Sequence, residues 1–245
     1  MIHQTIEKLT ELRLNGFICA IKEQLESTQY QDLSFEERFS LLVDREYLRR
    51  QNARLQRRLH EAKLKQNAVV ENIDFTTPRK LDKKLLLELA SCAWIQNKHN
   101  LFITGPTGIG KSFVACALAD KACRLGLSAH YIKAADLISL LLIARADGSY
   151  PKQALKLAKF QLLIVDEWLR DPLSVQQARE ILDLLDDRFR KASTIFISQI
   201  PVTDWHKNIL EPTLADAALD RIVHDAFRLE LIGESMRKLT TKLKK

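Results

Sequence analysis

The feature that most constrains this chain is a glycine-rich segment between a short apolar run and a long amphipathic stretch. Residues 105–112 read Gly-Pro-Thr-Gly-Ile-Gly-Lys-Ser, which matches G-x-x-x-x-G-K-[ST]. The apolar run at 100–104 predicts a strand, and residues 111–125 predict a helix. Glycines let the backbone N–H groups turn inward around phosphates, and the helix N-terminus adds a positive dipole. The segment therefore predicts a site for a nucleoside triphosphate.

The last residues of the segment have separate predicted roles. Lys111 supplies a point charge to the β and γ phosphates, and the Ser112 hydroxyl occupies one position around a magnesium ion. The predicted nucleotide-binding residues are Gly105, Pro106, Thr107, Gly108, Ile109, Gly110, Lys111, Ser112 and Phe113.

Two carboxylates follow the apolar run at 161–165. With a phosphate loop upstream, Asp166 is predicted to hold Mg²⁺ through water, and Glu167 to orient or deprotonate the attacking water. The alternative is a strand that merely ends in two solvated acids. Both carboxylates should lie at the carboxyl edge of the sheet, where ligands bind in such folds.

The chain after residue 72 alternates between short apolar runs and helical stretches. The runs at 100–104, 129–132, 161–165, 194–198 and 227–231 predict five strands, and the helical stretches are 111–125, 134–159, 174–191 and 213–224. This alternation predicts an α/β domain with a parallel, helix-covered sheet.

The first third is predicted to be helical, because residues 1–77 contain no proline and only one glycine, Gly16. Ser34 and Glu37 predict a capping box at the start of a helix over 34–65. That helix carries a leucine stripe of Leu41, Leu48, Leu55 and Leu59, and we expect this stripe to face a core. The domain boundary is predicted near residue 72, giving a small all-helical domain over 1–72 and an ATPase domain over 73–245.

Composition and charge indicate which kind of partner and which cellular compartment to expect. The formal net charge of +7 favours a polyanionic partner. The four cysteines form no C-x-x-C pair, which predicts free thiols in a reducing compartment. No apolar run reaches the roughly 18 residues of a membrane span and the N-terminus is charged, so we expect a soluble cytoplasmic protein without a membrane partner.

Several segments beyond the phosphate loop resemble one family, the AAA+ ATPases of the helicase-loader and initiator group, and within it the IstB-type transposition helpers of insertion sequences. The resemblance runs from about residue 73 to 238. It is carried by Trp94-Ile95, 105–112, 146–150, 198–201, Trp205-His206, 212–221 and 233–238.

The resemblance implies an ATPase, using ATP and Mg²⁺, that forms a homo-oligomer on double-stranded DNA and helps a partner transposase to select a target. It implies a P-loop AAA+ domain whose helical lid is much reduced, since only 14 residues follow Leu231. Gln199 corresponds to the first sensor, Arg221 to the arginine finger that reaches a neighbouring subunit, and Arg237 to the second sensor. The alternatives are a solvated amide for Gln199 and a local pair with Asp220 or Asp225 for Arg221.

One segment departs from the family pattern. After the acidic pair a Trp-Gly-Leu run is expected, and this chain reads Trp168-Leu169-Arg170. The departure lies outside the predicted phosphate contacts, so it bears on communication from ATP to DNA or partner rather than on ATP binding.

Basic residues are concentrated in the long helix of the first third. Residues 45–65 contain eight lysines and arginines and two acidic residues, Glu46 and Glu61, so the net charge of this segment is +6. The predicted DNA-binding residues are Arg50, Arg54, Arg57 and Arg58, with a second group of Lys152, Lys156 and Lys159 spaced to share one helix face. The alternative for both groups is a solvated helix face.

Two other functions fit the same motifs. One is a replicative helicase loader, and the other is a nucleotide-switch scaffold that binds ATP and assembles but hardly hydrolyses it. The basic helix and the absence of zinc-binding cysteines in the first third favour the transposition helper over the loader.

Overall fold

The computed structural model describes residues 2–236. The chain forms two compact units, one ending at Arg57 and the other beginning at Arg58. The predicted boundary near residue 72 lies inside the second unit, because the chain after Arg58 bonds within it. The Arg58 Nε atom donates to the Cys123 carbonyl at 2.8 Å, and the Glu61 carbonyl lies 2.9 Å from the His130 Nδ1 atom.

The first unit is helical, as predicted. Ser34 and Glu37 form the predicted capping box, since the Ser34 N–H donates to the Glu37 carboxylate at 2.8 Å and the Glu37 N–H donates to the Ser34 hydroxyl at 3.3 Å. Its helices are α1 (Ile2–Glu11), α2 (Asn15–Glu26) and α3 (Phe35–Ala62), the last of which continues past Arg57.

The leucine stripe of α3 forms the expected core only in part, because Leu55 and Leu59 are partly buried but the first half of the stripe is exposed. Leu41 and Leu48 are 44% and 57% exposed. The buried position on this part of α3 belongs to Glu46, which accepts the Gly16 N–H of α2 at 2.7 Å. Hydrogen bonds from Arg49, opposed by desolvation and helped by Arg50, lower the pKa of Glu46 to about 2. The face of α3 turned toward α2 is therefore held by a charged hydrogen-bond network, and the leucines lie outside it.

The second unit contains a five-stranded parallel sheet in the order β2-β3-β4-β1-β5. All five predicted strands are confirmed, with boundaries within one residue of those expected. The strands are β1 (Asn100–Thr104), β2 (Ala129–Lys133), β3 (Leu162–Asp166), β4 (Ser193–Ser198) and β5 (Ala226–Glu230). β3 and β4 are buried along their whole length, as expected of strands covered on both faces.

Helices cover both faces of the sheet. They are α4 (Lys83–Ala90), α5 (Ala93–Gln96), α6 (Lys111–Arg124), α7 (Ala134–Ala146), α8 (Tyr150–Ala158), α9 (Val175–Arg188) and α10 (Pro212–Val223). In the part of the chain that the structure describes, no helix is long and apolar enough to cross a membrane. The four cysteines are free thiols.

The single helix predicted over 134–159 is wrong, because the chain breaks there into α7 and α8. Gly148 has φ +76°, and the Asp147 side chain accepts the Ser149 N–H at 2.9 Å. A left-handed glycine and a side chain that replaces the helical hydrogen bond end one helix and allow Pro151 to open the next.

Candidate nucleotide-binding site

The glycine-rich loop links β1 to α6 in a backbone conformation that requires glycine. Gly105 and Gly110 have φ +140° and +101°. A Cβ atom at Gly105 would lie 2.2 Å from the Leu231 carbonyl oxygen, and one at Gly110 would lie 2.5 Å from the Arg79 guanidinium. Both substitutions would therefore strain the loop and collide with its support. The predicted strand–loop–helix context of the motif is confirmed.

The Lys111 side chain folds back across the loop. Its ammonium donates to the Gly105 carbonyl at 2.5 Å and to the Pro106 carbonyl at 2.8 Å. Burial lowers the pKa of Lys111, and the nearby Asp166 carboxylate partly offsets that effect. The loop thus holds a desolvated positive charge beside its turned-in backbone.

Asp166 ends β3 beside the first turn of α6, and protein groups surround both of its carboxylate oxygens. Oδ2 accepts hydrogen bonds from the Ser112 hydroxyl at 2.8 Å, from Lys65 Nζ at 3.2 Å and from the Tyr131 hydroxyl. Oδ1 accepts the Glu167 N–H at 2.8 Å. Burial by itself would raise the pKa of Asp166, but these hydrogen bonds and the Lys65 charge outweigh it and lower the pKa. Asp166 is therefore held as a carboxylate.

Glu167 follows in a strained turn, with φ +61°. Its carboxylate lies 2.5 Å from Arg170 and 3.8 Å from Lys133, so two cations hold it. The Glu167 side chain is 25% exposed, which leaves it within reach of solvent.

The departure from the family pattern lies directly after this turn. Trp168 and Leu169 are buried in the core, and the Trp168 N–H donates to the Ile197 carbonyl of β4 at 2.8 Å. Leu169 adopts φ +54°, a conformation in which glycine would cost less. This backbone turn directs Arg170 back onto Glu167, so the departure reaches the acidic pair itself.

Gln199 follows β4 at the same edge of the sheet. Its amide oxygen accepts the hydroxyl of Thr107, a residue of the phosphate loop, at 2.6 Å. The adjacent Ser198 hydroxyl donates to the Trp168 carbonyl at 2.8 Å, which ties β4 to the turn after the acidic pair. The sequence motifs of β1, β3 and β4 are thus brought together, as the prediction requires.

A cavity of about 360 Å³ opens beside the loop, lined among others by Gln66, Asn72, Asp74, Arg79, Phe113 and Met236. Arg79 is only 3% exposed, and its guanidinium donates to the Ile109 and Asp74 carbonyls at 3.1 and 2.7 Å. Its Nε atom is buried and has no hydrogen-bond partner among residues 2–236. The buried Arg79 guanidinium therefore stabilises the phosphate loop through its hydrogen bond to the Ile109 carbonyl.

Of the two arginines predicted from the last segments, Arg221 lies within the described residues. Arg221, on α10, binds Asp186 of α9 and donates to the Ala217 carbonyl at 2.7 Å, so its acidic partner is neither Asp220 nor Asp225. Arg237 and the residues after it, where most of the predicted short lid would lie, are outside the described residues.

The predicted DNA-binding residues fall into three settings. Arg50 binds Glu46 at 2.6 Å and stays half-exposed, and Arg54 and Arg57 are exposed on α3. Arg58 is partly buried by its bond to Cys123, so it does not lie on the expected solvent-facing surface. The second group is exposed along α8, opposite the buried Ala154 and Leu157, and it consists of Lys152, Lys156 and Lys159.

Sequence reasoning missed Lys65, Arg79 and Tyr131 as parts of the site. In the sequence, Lys65 is one of the eight positive charges of the basic run, and no motif marks Arg79 or Tyr131. The sole signal for Tyr131 is its place in the strand paired with β3, where Tyr131 lies beside Ile164 in the parallel register.

The fold and the site together define a P-loop ATP-binding protein of the AAA+ class. The sheet places the phosphate loop after β1, the acidic pair after β3 and the polar Gln199 after β4 at one edge. The solved structure of DnaI has the same fold, with a TM-score of 0.58 at 17% identity over 72% of this chain and 93% of that one.

The chain belongs to the family of IstB-like ATP binding proteins, whose model matches residues 7–244. It is 42% identical to an insertion-sequence ATP-binding protein of Sinorhizobium fredii over 97% of each chain. It is 43% identical to the ATP-binding protein of insertion sequence IS1162 of Pseudomonas fluorescens, over 82% of this chain and 87% of that one. The family resemblance read from the sequence motifs is confirmed.

Proposed function

We propose that this protein is an ATP-hydrolysing transposition helper that forms a homo-oligomer on double-stranded DNA and assists a partner transposase in choosing its target. The observation that carries the proposal is the meeting of the phosphate loop, Asp166 and Glu167 at one sheet edge. Membership of the IstB-like family and relatives named for insertion sequences support the transposition context.

ATP would bind with its phosphates in the loop and the rest of the nucleotide along the adjoining cavity. Lys111, desolvated and bonded to the Gly105 and Pro106 carbonyls, would exchange these for the β and γ phosphate oxygens. Phe113 and Gly108 line the same cavity. Gln199, which already accepts the Thr107 hydroxyl of the loop, would hydrogen-bond the γ-phosphate or the attacking water.

Mg²⁺ suits the Ser112 and Asp166 oxygens, with the Ser112 hydroxyl around the ion and Asp166 holding it through a bound water. Both are hard oxygen donors, and they meet at 2.8 Å with Asp166 kept ionised. Mg²⁺ commonly takes one or two such protein ligands and completes its shell with waters and substrate phosphates. When bound there, the ion would neutralise charge developing on the phosphates.

Glu167 would orient the attacking water and accept its proton. The carboxylate lies in ion pairs with Arg170 at Oε2 and with Lys133 at Oε1, so both oxygens that could take a proton from water are engaged. The Arg170 contact must therefore open for hydrolysis. Since Arg170 stands in the turn where this chain departs from the family pattern, that turn is a natural place for DNA or a partner to act on hydrolysis.

Arg221 provides the test of the oligomeric ATPase. If Arg221 contacts the ATP of a neighbouring subunit, Arg221→Ala should lower the rate of ATP hydrolysis about a thousandfold. Lys111→Ala should also hydrolyse ATP slowly. Mixing the two variants should restore part of the activity, because some interfaces then join an intact pocket to an intact arginine. Phosphate release from the mixture measures this.

The matched control is a mixture of Lys111→Ala with Glu167→Gln, two changes in one pocket that cannot complement through a finger. Failure of the Arg221→Ala mixture to recover activity despite proven co-assembly would favour a purely local Asp186 pair.

The basic face of α3 provides the test of DNA binding. Changing Arg50, Arg54 and Arg57 together to Ala should weaken binding to unrelated duplexes by similar factors, because phosphate contacts carry no direct sequence information. Each lost contact should flatten the slope of log affinity against log salt by about 0.9, which gives a change near 3 per engaged subunit. Fluorescence anisotropy at several salt concentrations measures both.

The control for this test removes three other exposed positive charges, Lys22, Lys84 and Lys191. If the two triple variants lose affinity equally, the effect is one of net charge. If the arginine variant keeps the wild-type affinity for DNA and the wild-type salt slope, the α3 face is a solvated surface that does not contact DNA. The lysines of α8 then become the candidate DNA contacts.

A further inference from the structure

The Lys65 ammonium occupies a position at the acidic pair that no sequence motif assigns to it. Lys65 Nζ lies 3.2 Å from Asp166 Oδ2, with Lys65 38% exposed and Asp166 only 4%. Lys65 comes from the segment that follows α3, which is far from Asp166 in sequence. A cation from outside the phosphate loop thus neutralises a buried carboxylate of the proposed magnesium site.

The segment that carries Lys65 is fixed on both sides. Before it, Glu61 bonds to His130, whose ring stacks on Phe160 with centroids 4.8 Å apart. Ala62 and Ala68 are buried on either side of Lys65, at 0% and 4% exposure. The packed backbone on both sides of Lys65 therefore holds this side chain beside Asp166.

The oxygen that Lys65 contacts is the one through which Asp166 would hold a magnesium ion. Oδ2 also accepts the Ser112 hydroxyl, while Oδ1 is taken by the Glu167 N–H. Asp166 would hold Mg²⁺ through a metal-bound water, and that water needs a lone pair of Oδ2 that the Lys65 ammonium occupies. An ammonium and a divalent cation held by one partly buried carboxylate oxygen would also repel each other.

From this crowding we infer that Lys65 is a counter-ion which Mg²⁺ displaces from Asp166 when nucleotide binds, so that Lys65 sets the Mg²⁺ concentration at which the site fills. The inference rests on the proposed function, because it needs a Mg²⁺–nucleotide complex at this site. The Lys65 ion pair holds the Asp166 carboxylate in place before the metal arrives, and the metal must compete with it. The ammonium is then released toward solvent, to which it is already partly exposed.

The first experiment titrates Mg²⁺ against binding of a fluorescent ADP, which involves no turnover. Lys65→Met keeps the length of the side chain and removes its charge, so half-saturation should need about three- to fivefold less Mg²⁺ than in the wild type. Lys65→Arg keeps the charge and should need no less than the wild type. Lys63→Met removes the same charge at an exposed position two residues away and should leave the requirement unchanged.

The second experiment uses the wild-type chain, so it does not depend on how well a variant folds. Acetylation of amines by a soluble reagent, read by mass spectrometry, should increase severalfold at Lys65 when Mg²⁺ and ADP are both present. ADP with a chelator should not increase it, and labelling of Lys63 should stay constant.

The outcomes separate this inference from the proposed function. If the wild type binds no nucleotide at any Mg²⁺ concentration, the proposed function fails and the inference fails with it. If nucleotide binds but Lys65→Met needs as much Mg²⁺ as the wild type or more, or Mg²⁺–ADP leaves Lys65 labelling unchanged or lower, the inference alone is overturned. An equal gain in Lys63→Met would also overturn it, since the effect would then be one of general charge.

Discussion

Lys111→Ala should weaken nucleotide binding by about one to two orders of magnitude, the usual effect of losing a charge-assisted hydrogen bond. The lysine is desolvated, and in the part of the chain that the structure describes its acceptors are two loop carbonyls, so its charge is positioned for phosphates and not for a carboxylate partner. ATP-supported assembly should disappear with the binding. Titration with a fluorescent nucleotide measures the first effect, and sedimentation velocity with ATP measures the second.

The matched control is Lys121→Ala, which removes the same charge from the last turn of the same helix, α6. Nucleotide affinity should survive that change. Unchanged affinity and assembly in Lys111→Ala, with the fold intact by circular dichroism, would refute the role of this lysine.

Glu167→Gln should separate binding from hydrolysis. The amide keeps the size of the side chain but cannot accept a proton from water, so the turnover rate should fall by about a hundredfold or more. Nucleotide affinity should stay near that of the wild type, because the proposed phosphate and Mg²⁺ contacts come from Lys111, Ser112 and Asp166. Complexes with DNA should therefore persist as long or longer. Single-turnover hydrolysis and nucleotide titration measure the two effects.

Glu234→Gln is the control for this change, since it makes the same chemical replacement at an exposed glutamate. An equal loss of binding and hydrolysis in Glu167→Gln would contradict the assignment, because it would make Glu167 a nucleotide ligand or a structural residue.

Local signals account for the parts of the fold and site that were predictable. Each strand is a short apolar run, and the phosphate loop carries its glycines, Lys111 and Ser112 in eight consecutive residues. The Ser34–Glu37 capping box is equally local and is confirmed. Because parallel strands bring their carboxyl ends to one edge, the sequence could also place Asp166 and Gln199 near the loop.

Contacts between distant segments account for the rest. Lys65 reaches Asp166 because the chain after α3 packs within the second unit, and a charge count over the basic run cannot reveal that. The break at Gly148 was hidden by apolar residues that continue the helical pattern on both sides. The exposed Leu41 and Leu48 follow from a buried Glu46, a pairing that depends on the position of α2.

We expect ATP at this site to drive assembly on double-stranded DNA. Electron microscopy of the full chain, with and without ATP and with and without a duplex of random sequence, tests this expectation. Ordered oligomers should form on the duplex when ATP is present, and none should form when ATP is omitted. Single subunits under all four conditions, or the same oligomers on DNA without nucleotide, would contradict it.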